Sequence, residues 1–135
     1  MNRFVLDCSV SAAWCLQEAE SETAEKVLGL MSGAEVLVPS LWLVEMTNVL
    51  VVAQRRGRIT SADALRAENL LRVLPIHIDP VRLDNLSRLR AMALEYGLTA
   101  YDAGYLEIAI RNRLPLATLD KGLQNAAKKA GVELL

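Results

Sequence analysis

Phe4-Val5-Leu6 followed directly by Asp7 is the feature that most limits what this chain can fold into. Three large apolar residues run consecutively with no polar alternation, so a strand built from them must be covered on both faces, as parallel strands of α/β proteins are. Asp7 then stands at the carboxyl end of that strand. Ligands of open α/β sheets bind outside that edge, where the strand order reverses. What else the chain delivers to the edge therefore decides its chemistry.

A chain of 135 residues is long enough to bury one core without staples, and residues 1–135 are expected to form a single domain. Hydrophobic residues make up 53% and charged residues 23%, which excludes a disordered chain. The aliphatic excess anticipates a buried face shared with a partner, and hence a dimer. No apolar run reaches the roughly 18 residues of a membrane helix, and the N-terminus lacks a basic segment followed by an apolar one and a cleavage site. A cytoplasmic protein is expected. There Cys8 and Cys15 read as small buried apolar residues, a redox or metal role being the alternative.

The net charge of -1 says nothing for nucleic acid, but its distribution does. Residues 1–50 hold two basic and seven acidic residues, residues 51–135 thirteen and nine. Arg55, Arg56, Arg58, Arg66, Arg72, Arg82, Arg88 and Arg90 fall in one stretch, which is either a solvated helix face or a surface that follows phosphates.

Along the chain, Ser9 to Gln17 reads as a short helix capped by Ser9, Glu18 to Glu22 as a polar break, and Ser21 to about Met31 as a second helix. Glu35 to Val38 is a short strand closed by Pro39 and Ser40. Leu41 to Gln54 is a strong helix with Leu41, Val44, Asn48 and Val51 along one stripe. Thr60 with Asp63 three residues on has the form of a helix cap, opening a helix to about Val73. The last two helices make an αα-hairpin. Pro75 to Ile78 is a third strand, and Asp79-Pro80 starts a helix carrying Leu86, Leu89, Ala93 and Tyr96. Thr99 caps a helix to about Asn112, Pro115 to Leu119 is a fourth strand, Asp120 begins a last helix, and Val132 to Leu134 is a terminal strand. Strands alternating with helices imply a parallel sheet of four to five strands with right-handed crossovers.

On this frame Asp7 follows strand one, Asp120 follows strand four, Glu45 lies in the opening turns of the helix after strand two, and Asp102 lies in the first turn of the helix opened by Thr99. Parallel strands bring Asp7, Glu45 and Asp120 to one edge. Asp102 joins them only if its helix begins there. Each acid also has a plain structural role open to it: Asp7 and Asp120 as caps, Asp102 as a capping-box partner of Thr99. Glu45 is harder to explain that way, because its surroundings from Leu41 to Met46 are apolar and a buried carboxylate must be paired, protonated or metal-bound. Two carboxylates about 5 Å apart at an effective dielectric near 20 repel by roughly 3 kcal/mol. No Lys, Arg or His flanks Asp7, Glu45 or Asp102 in sequence. A hard divalent cation with oxygen ligands, Mg2+ or Mn2+, is the economical answer if the four converge.

Val5-Leu6-Asp7-Cys8-Ser9, Pro39 to Glu45 with Asn48 three residues on, Leu98 to Ala103 and Leu116-Ala117-Thr118-Leu119-Asp120 resemble, in order, the four motifs of PIN-domain nucleases. The subgroup they are most similar to is the VapC-type toxins of toxin–antitoxin systems. The resemblance implies a Rossmann-like PIN fold with the αα-hairpin protruding, and a Mg2+- or Mn2+-dependent endoribonuclease site. It also implies a tRNA or other structured RNA as substrate, a cognate VapB-type antitoxin and a homodimer. Carried over by position, Asp7, Glu45, Asp102 and Asp120 are the acidic, metal-holding quartet, with Ser9, Asn48 and Thr118 supporting it. Arg55, Arg56, Arg58 and Lys121 are the candidates for holding RNA.

The remaining polar residues have simpler readings. His77, mid-strand, is structural or on the surface; Asp79, which also ends a strand, caps the next helix unless it is a fifth member of the site; Trp14 and Trp42 pack in a core or dimer interface rather than stack on bases. The competing function is a non-catalytic Rossmann-like module that binds metal for structure and a protein partner. A phosphotransfer receiver would need a second acid beside Asp7, where Cys8 stands, and dinucleotide binding a glycine-rich turn after strand one.

Overall fold

The computed structural model describes residues 2–16 and 21–135. The elements follow in the order β1 (Arg3–Leu6), α1 (Cys8–Leu16), α2 (Glu22–Leu30), β2 (Glu35–Pro39), α3 (Leu41–Arg55), α4 (Ser61–Val73), β3 (Ile76–Asp79), α5 (Leu86–Tyr96), α6 (Ala100–Asn112), β4 (Leu116–Ala117) and α7 (Lys121–Lys129). The strands form one parallel sheet in the order β3-β2-β1-β4. Steps from β1 to β2 to β3 move outward in one direction, and the step to β4 returns across the sheet to the far side of β1. With right-handed crossovers this places α1 to α4 on one face and α5 and α6 on the other. The packing agrees: α1 meets α2 and α3, and α3 meets α4, whereas α6 lies on β1, β2 and β4 and is flanked by α5 and α7. The strand order reverses between β1 and β4, at the end where Asp7 stands.

Phe4, Val5 and Leu6 are each at most 1% exposed, as a strand covered on both faces requires. On α6 every residue from Ala103 to Ala109 is buried, because α5 closes the side of the helix turned away from the sheet. The expected cap at Thr60 forms in full: its side chain accepts from the Asp63 N–H while Asp63 accepts from the Thr60 N–H. Among the described residues no helix is long and apolar enough to cross a membrane.

Several expectations need correction. The first helix begins at Cys8, with Ser9 inside its first turn rather than capping it, because the Ser9 hydroxyl is taken by Asp7. The predicted end of that helix at Gln17 and most of the Glu18 to Glu22 break lie outside the described residues; Ser21 caps α2. On α3 the inward stripe is Trp42, Met46, Leu50 and Ala53, whereas Val44 is 70% exposed and Asn48 is exposed. The helix is apolar nearly all round its first turns, so periodicity alone does not choose a face. The Trp42 indole, donating to the buried Ser11 hydroxyl at 3.0 Å, ties down one of them.

Asp79-Pro80 does not start a helix. The residue before a proline is held extended, Arg82 is still extended, and a 3-10 turn at Leu83–Asn85 leads into α5. Asp79 remains the last residue of β3, its carboxylate paired with Arg111 at 2.5 Å. The terminal strand shrinks to a single parallel bridge between Leu116 and Leu134, because β4 offers only two residues for pairing.

Candidate active site

The centre of the site is the seam between β1 and β4. The Asp7 N–H donates to the Ala117 carbonyl at 2.9 Å, continuing the ladder one residue past the strand. This turns the Asp7 side chain, 5% exposed, toward the chain leaving β4. Its Oδ2 accepts from the Ser9 hydroxyl at 2.5 Å and the Thr118 hydroxyl at 2.9 Å. Both hydroxyls also accept: Ser9 Oγ from the Leu119 N–H at 2.9 Å, Thr118 Oγ1 from the Asp120 N–H at 3.0 Å. The ends of the two strands are thus joined through Asp7, and Asp120 is delivered directly beyond the joint. Its own Oδ2 caps α7, accepting from the Leu123 N–H at 2.8 Å.

Glu45 and Asp102 arrive from the side of β2. Val5 pairs with Leu37, so Asp7 is level with Pro39, and α3 starts two residues later. Glu45 falls in its second turn, half-buried, and its Oε1 accepts from the hydroxyl of Tyr105 at 2.6 Å. Close approach of α6 makes this contact possible: a Cβ on Gly104 would stand 3.3 Å from Leu41 Cδ2 and 3.9 Å from Pro39 Cβ. The first turns of α6 therefore lie at the same sheet edge, and they bring Asp102 with them. Thr99 caps the helix by accepting from the Asp102 N–H at 3.1 Å. The Asp102 carboxylate makes no return bond among the described residues, so it is not spent as a capping-box partner.

Electrostatics ties the four acids together. Burial raises the Asp7 carboxyl above the usual carboxylate range, against the lowering effect of its hydrogen bonds from Ser9 and Thr118. Glu45 is raised by burial and then by the charges of Asp7 and Asp102, although the Tyr105 hydrogen bond opposes this. Burial, then Asp7 and Asp120, raises Asp102. Glu45 and Asp102 thus feel the charges of the other acids, and no Lys, Arg or His among the described residues forms an ion pair with any of the four. Oxygen donors carrying uncompensated negative charge are the donor set of a hard divalent cation. As the side chains stand, no three Asp, Glu, His or Cys residues among the described ones are gathered closely enough to hold an ion.

Other candidates lie at or beyond the rim. Asn48 is exposed on α3, and Lys121, also exposed, directly follows Asp120. Arg55, Arg56 and Arg58 lie at the exposed tip of the α3–α4 hairpin. Arg55 is ten residues past Glu45, about 15 Å along the helix at 1.5 Å per residue. Asp79 belongs to another cluster, formed with Arg111, Glu107 and Arg88. His77 is exposed on the edge strand, and Trp14 and Trp42 are buried in the core. Cys8 and Cys15 are free, and burial pushes their thiols up to about 12 and about 11, values that keep them protonated near neutrality. Tyr105 and Gly104 escaped sequence reasoning. The available signal was position: three residues past Asp102, Tyr105 shares its helix face.

Comparison with known proteins places this geometry. The family model of the PIN domain matches residues 4–129. Ribonuclease VapC3 of Pyrobaculum aerophilum is 30% identical over 125 residues, an alignment covering 90% of this chain and 92% of that protein. Among solved structures, PAE2754 from Pyrobaculum aerophilum superposes with a TM-score of 0.69 at 27% identity, covering 93% of this chain and 79% of that one. VapBC2 from Rickettsia felis, solved bound to a fragment of promoter DNA, shares the fold with a TM-score of 0.67 at 13% identity, over 98% and 97% of the two chains. The site edge from Asp7 to Asp120 falls wholly inside the matched region, and the chain belongs to the PIN-domain family as a member of the VapC type.

Proposed function

We propose that this protein is the toxin ribonuclease of a toxin–antitoxin pair, a Mg2+- or Mn2+-dependent endoribonuclease acting at Asp7, Glu45, Asp102 and Asp120. One observation carries the reading: four acids from four separate segments stand within electrostatic reach at the strand-order reversal, and among the described residues no cationic side chain pairs with them. Similarity to a protein named as a ribonuclease supplies the reaction class. A fold shared with a VapBC complex supplies the kind of partner, a VapB-type antitoxin. A homodimer, a tRNA or other structured RNA as substrate and a cytoplasmic location complete the proposal.

By its chemistry, all carboxylate oxygen, the donor set fits a hard divalent ion, and the side chains would draw together to hold it. Asp7, Glu45, Asp102 and Asp120 would hold it directly or through water; once bound, such a cation lowers the pKa of a water and offsets charge on the phosphoryl oxygens of the transition state. The remaining residues position. Ser9 and Thr118 fix the Asp7 carboxylate by donating to one of its oxygens. Lys121 offers a point charge to a phosphate beside Asp120, and Asn48 an amide at the rim. The hairpin arginines hold the RNA farther from the cut.

The test is cleavage of total RNA and of structured RNAs by the purified protein, with Mg2+ or Mn2+ and with chelator, beside Asp7→Asn. Metal-dependent cutting that Asp7→Asn abolishes is expected. Equal cutting by both proteins would assign the activity to a contaminant. A metal-dependent rise in melting temperature without any cutting would favour the non-catalytic binding module.

A further inference from the structure

Tyr105 is fully buried, yet its hydroxyl reaches the half-buried Glu45 and donates to Oε1 at 2.6 Å, its only described hydrogen bond. The whole residue is 0% exposed, within a run of buried residues on α6, and the helix is seated against the β2–α3 junction at Gly104. A phenol so fixed cannot follow Glu45 through alternative rotamers; the carboxylate must come to it. We infer that Tyr105 is a positioning residue for the metal site: it selects one orientation of Glu45, occupying Oε1 and leaving Oε2 for the cation. The inference rests on the proposed metal role of Glu45.

The arrangement parallels that of Asp7. There too one oxygen, Oδ2, receives the hydrogen bonds, from Ser9 and Thr118. Both buried or half-buried acids are thus tethered by hydroxyl donors through one oxygen, which reduces the freedom that ion binding would have to remove. The Glu45 tether spans sixty residues of sequence and joins α3 to α6, the two helices that carry Glu45 and Asp102. It therefore also sets the spacing of those two acids.

The experiment is a binding cycle read by calorimetry with Mn2+ on the intact protein, in parent, Tyr105→Phe, Glu45→Gln and the double variant. Melting temperatures are recorded in chelator. Tyr105→Phe keeps the ring and orphans no fully buried group, so its fold should persist. We expect Mn2+ affinity to fall roughly tenfold in Tyr105→Phe, as loss of an outer partner of a metal ligand typically does, and to change less than twofold when the same substitution is made in Glu45→Gln. Unchanged affinity in Tyr105→Phe overturns the inference. So does an equal loss in both backgrounds, because the effect would then not pass through Glu45. If the parent binds no Mn2+, the metal reading itself fails, an outcome distinct from a parent that binds and a variant that binds equally well.

Discussion

Asp7 is held where being ionised is costly. Its folded carboxyl titrates above its ordinary value, chiefly because of burial, so between the unfolded and folded values the folded state binds the proton more tightly. Stability contributed by this group is therefore full below the unfolded value and lost as pH rises through the raised one. Glu45 and Asp102 shift the same way and add to it. We predict that in chelator at neutral pH Asp7→Asn raises the melting temperature by a few degrees, about 1 kcal/mol, and that the gain shrinks as pH is lowered through the carboxylate range. Scanning calorimetry of both proteins from pH 4 to pH 8 checks this; a variant less stable than the parent at neutral pH would show that the hydroxyl bonds outweigh burial. Asp63 runs the opposite way, lowered first by the Thr60 backbone bond, and marks a carboxylate used for structure. From sequence both looked like acids at helix starts. Only the depth of burial and the neighbouring charges separate them.

At the scale of elements, α6 links scaffold to site. Glu107, 5% exposed, accepts from Arg111 Nε on Oε2 at 3.0 Å and from Nη2 on Oε1 at 3.1 Å and is approached by Arg88 from α5, while Arg111 also holds Asp79 at the end of β3. Truncating Arg111 leaves a buried carboxylate with one remaining partner. Arg111→Ala should destabilise by about 2 kcal/mol, less than a fully buried pair would because the guanidinium is half exposed. Arg66→Ala, which breaks only the surface pair with Asp63, should leave stability nearly unchanged. Urea melts of the two variants make the comparison. Thr99→Ala should cost about 1 kcal/mol through the lost cap and, because the cap is on the Asp102 N–H, weaken Mn2+ binding as well. The helix and its Thr99 cap were legible in the sequence. That the helix is buried on all sides was not, because that depends on α5 folding back over it.

At the scale of the molecule, acid and arginines are separated along α3, with Glu45 near its start and the exposed basic tip at its end. If the tip holds RNA, replacing Arg55 and Arg56 by Ala should weaken binding and lower the slope of log affinity against log salt by about 0.7 per lost phosphate contact on a single strand. Cleavage rate on a saturating substrate should change little. Filter binding across a salt series measures the slope. With water as the nucleophile the RNA needs no 2′-hydroxyl for attack, so 5′-phosphate ends are expected; 2′,3′-cyclic phosphate products, read by end-specific enzymes and mass spectrometry, would exclude that chemistry.

The apolar run at Phe4 to Leu6, the alternation of strands with helices and the place of Asp7 and Asp120 after strands are local patterns, legible residue by residue, and the parallel sheet follows from them. Periodicity failed where a helix is apolar all round, as at the start of α3, and the cap signal failed at Asp79, where the backbone stays extended through Arg82 and the carboxylate pairs with Arg111. Tertiary structure alone decided that Asp102 joins the other acids, because that depends on how closely α6 approaches the β2–α3 junction, and a glycine allows this approach without announcing it. It alone decided the partner of Glu45 as well: a tyrosine sixty residues away is not a neighbour in any local pattern, and only the packing of two helices against one sheet edge makes it one.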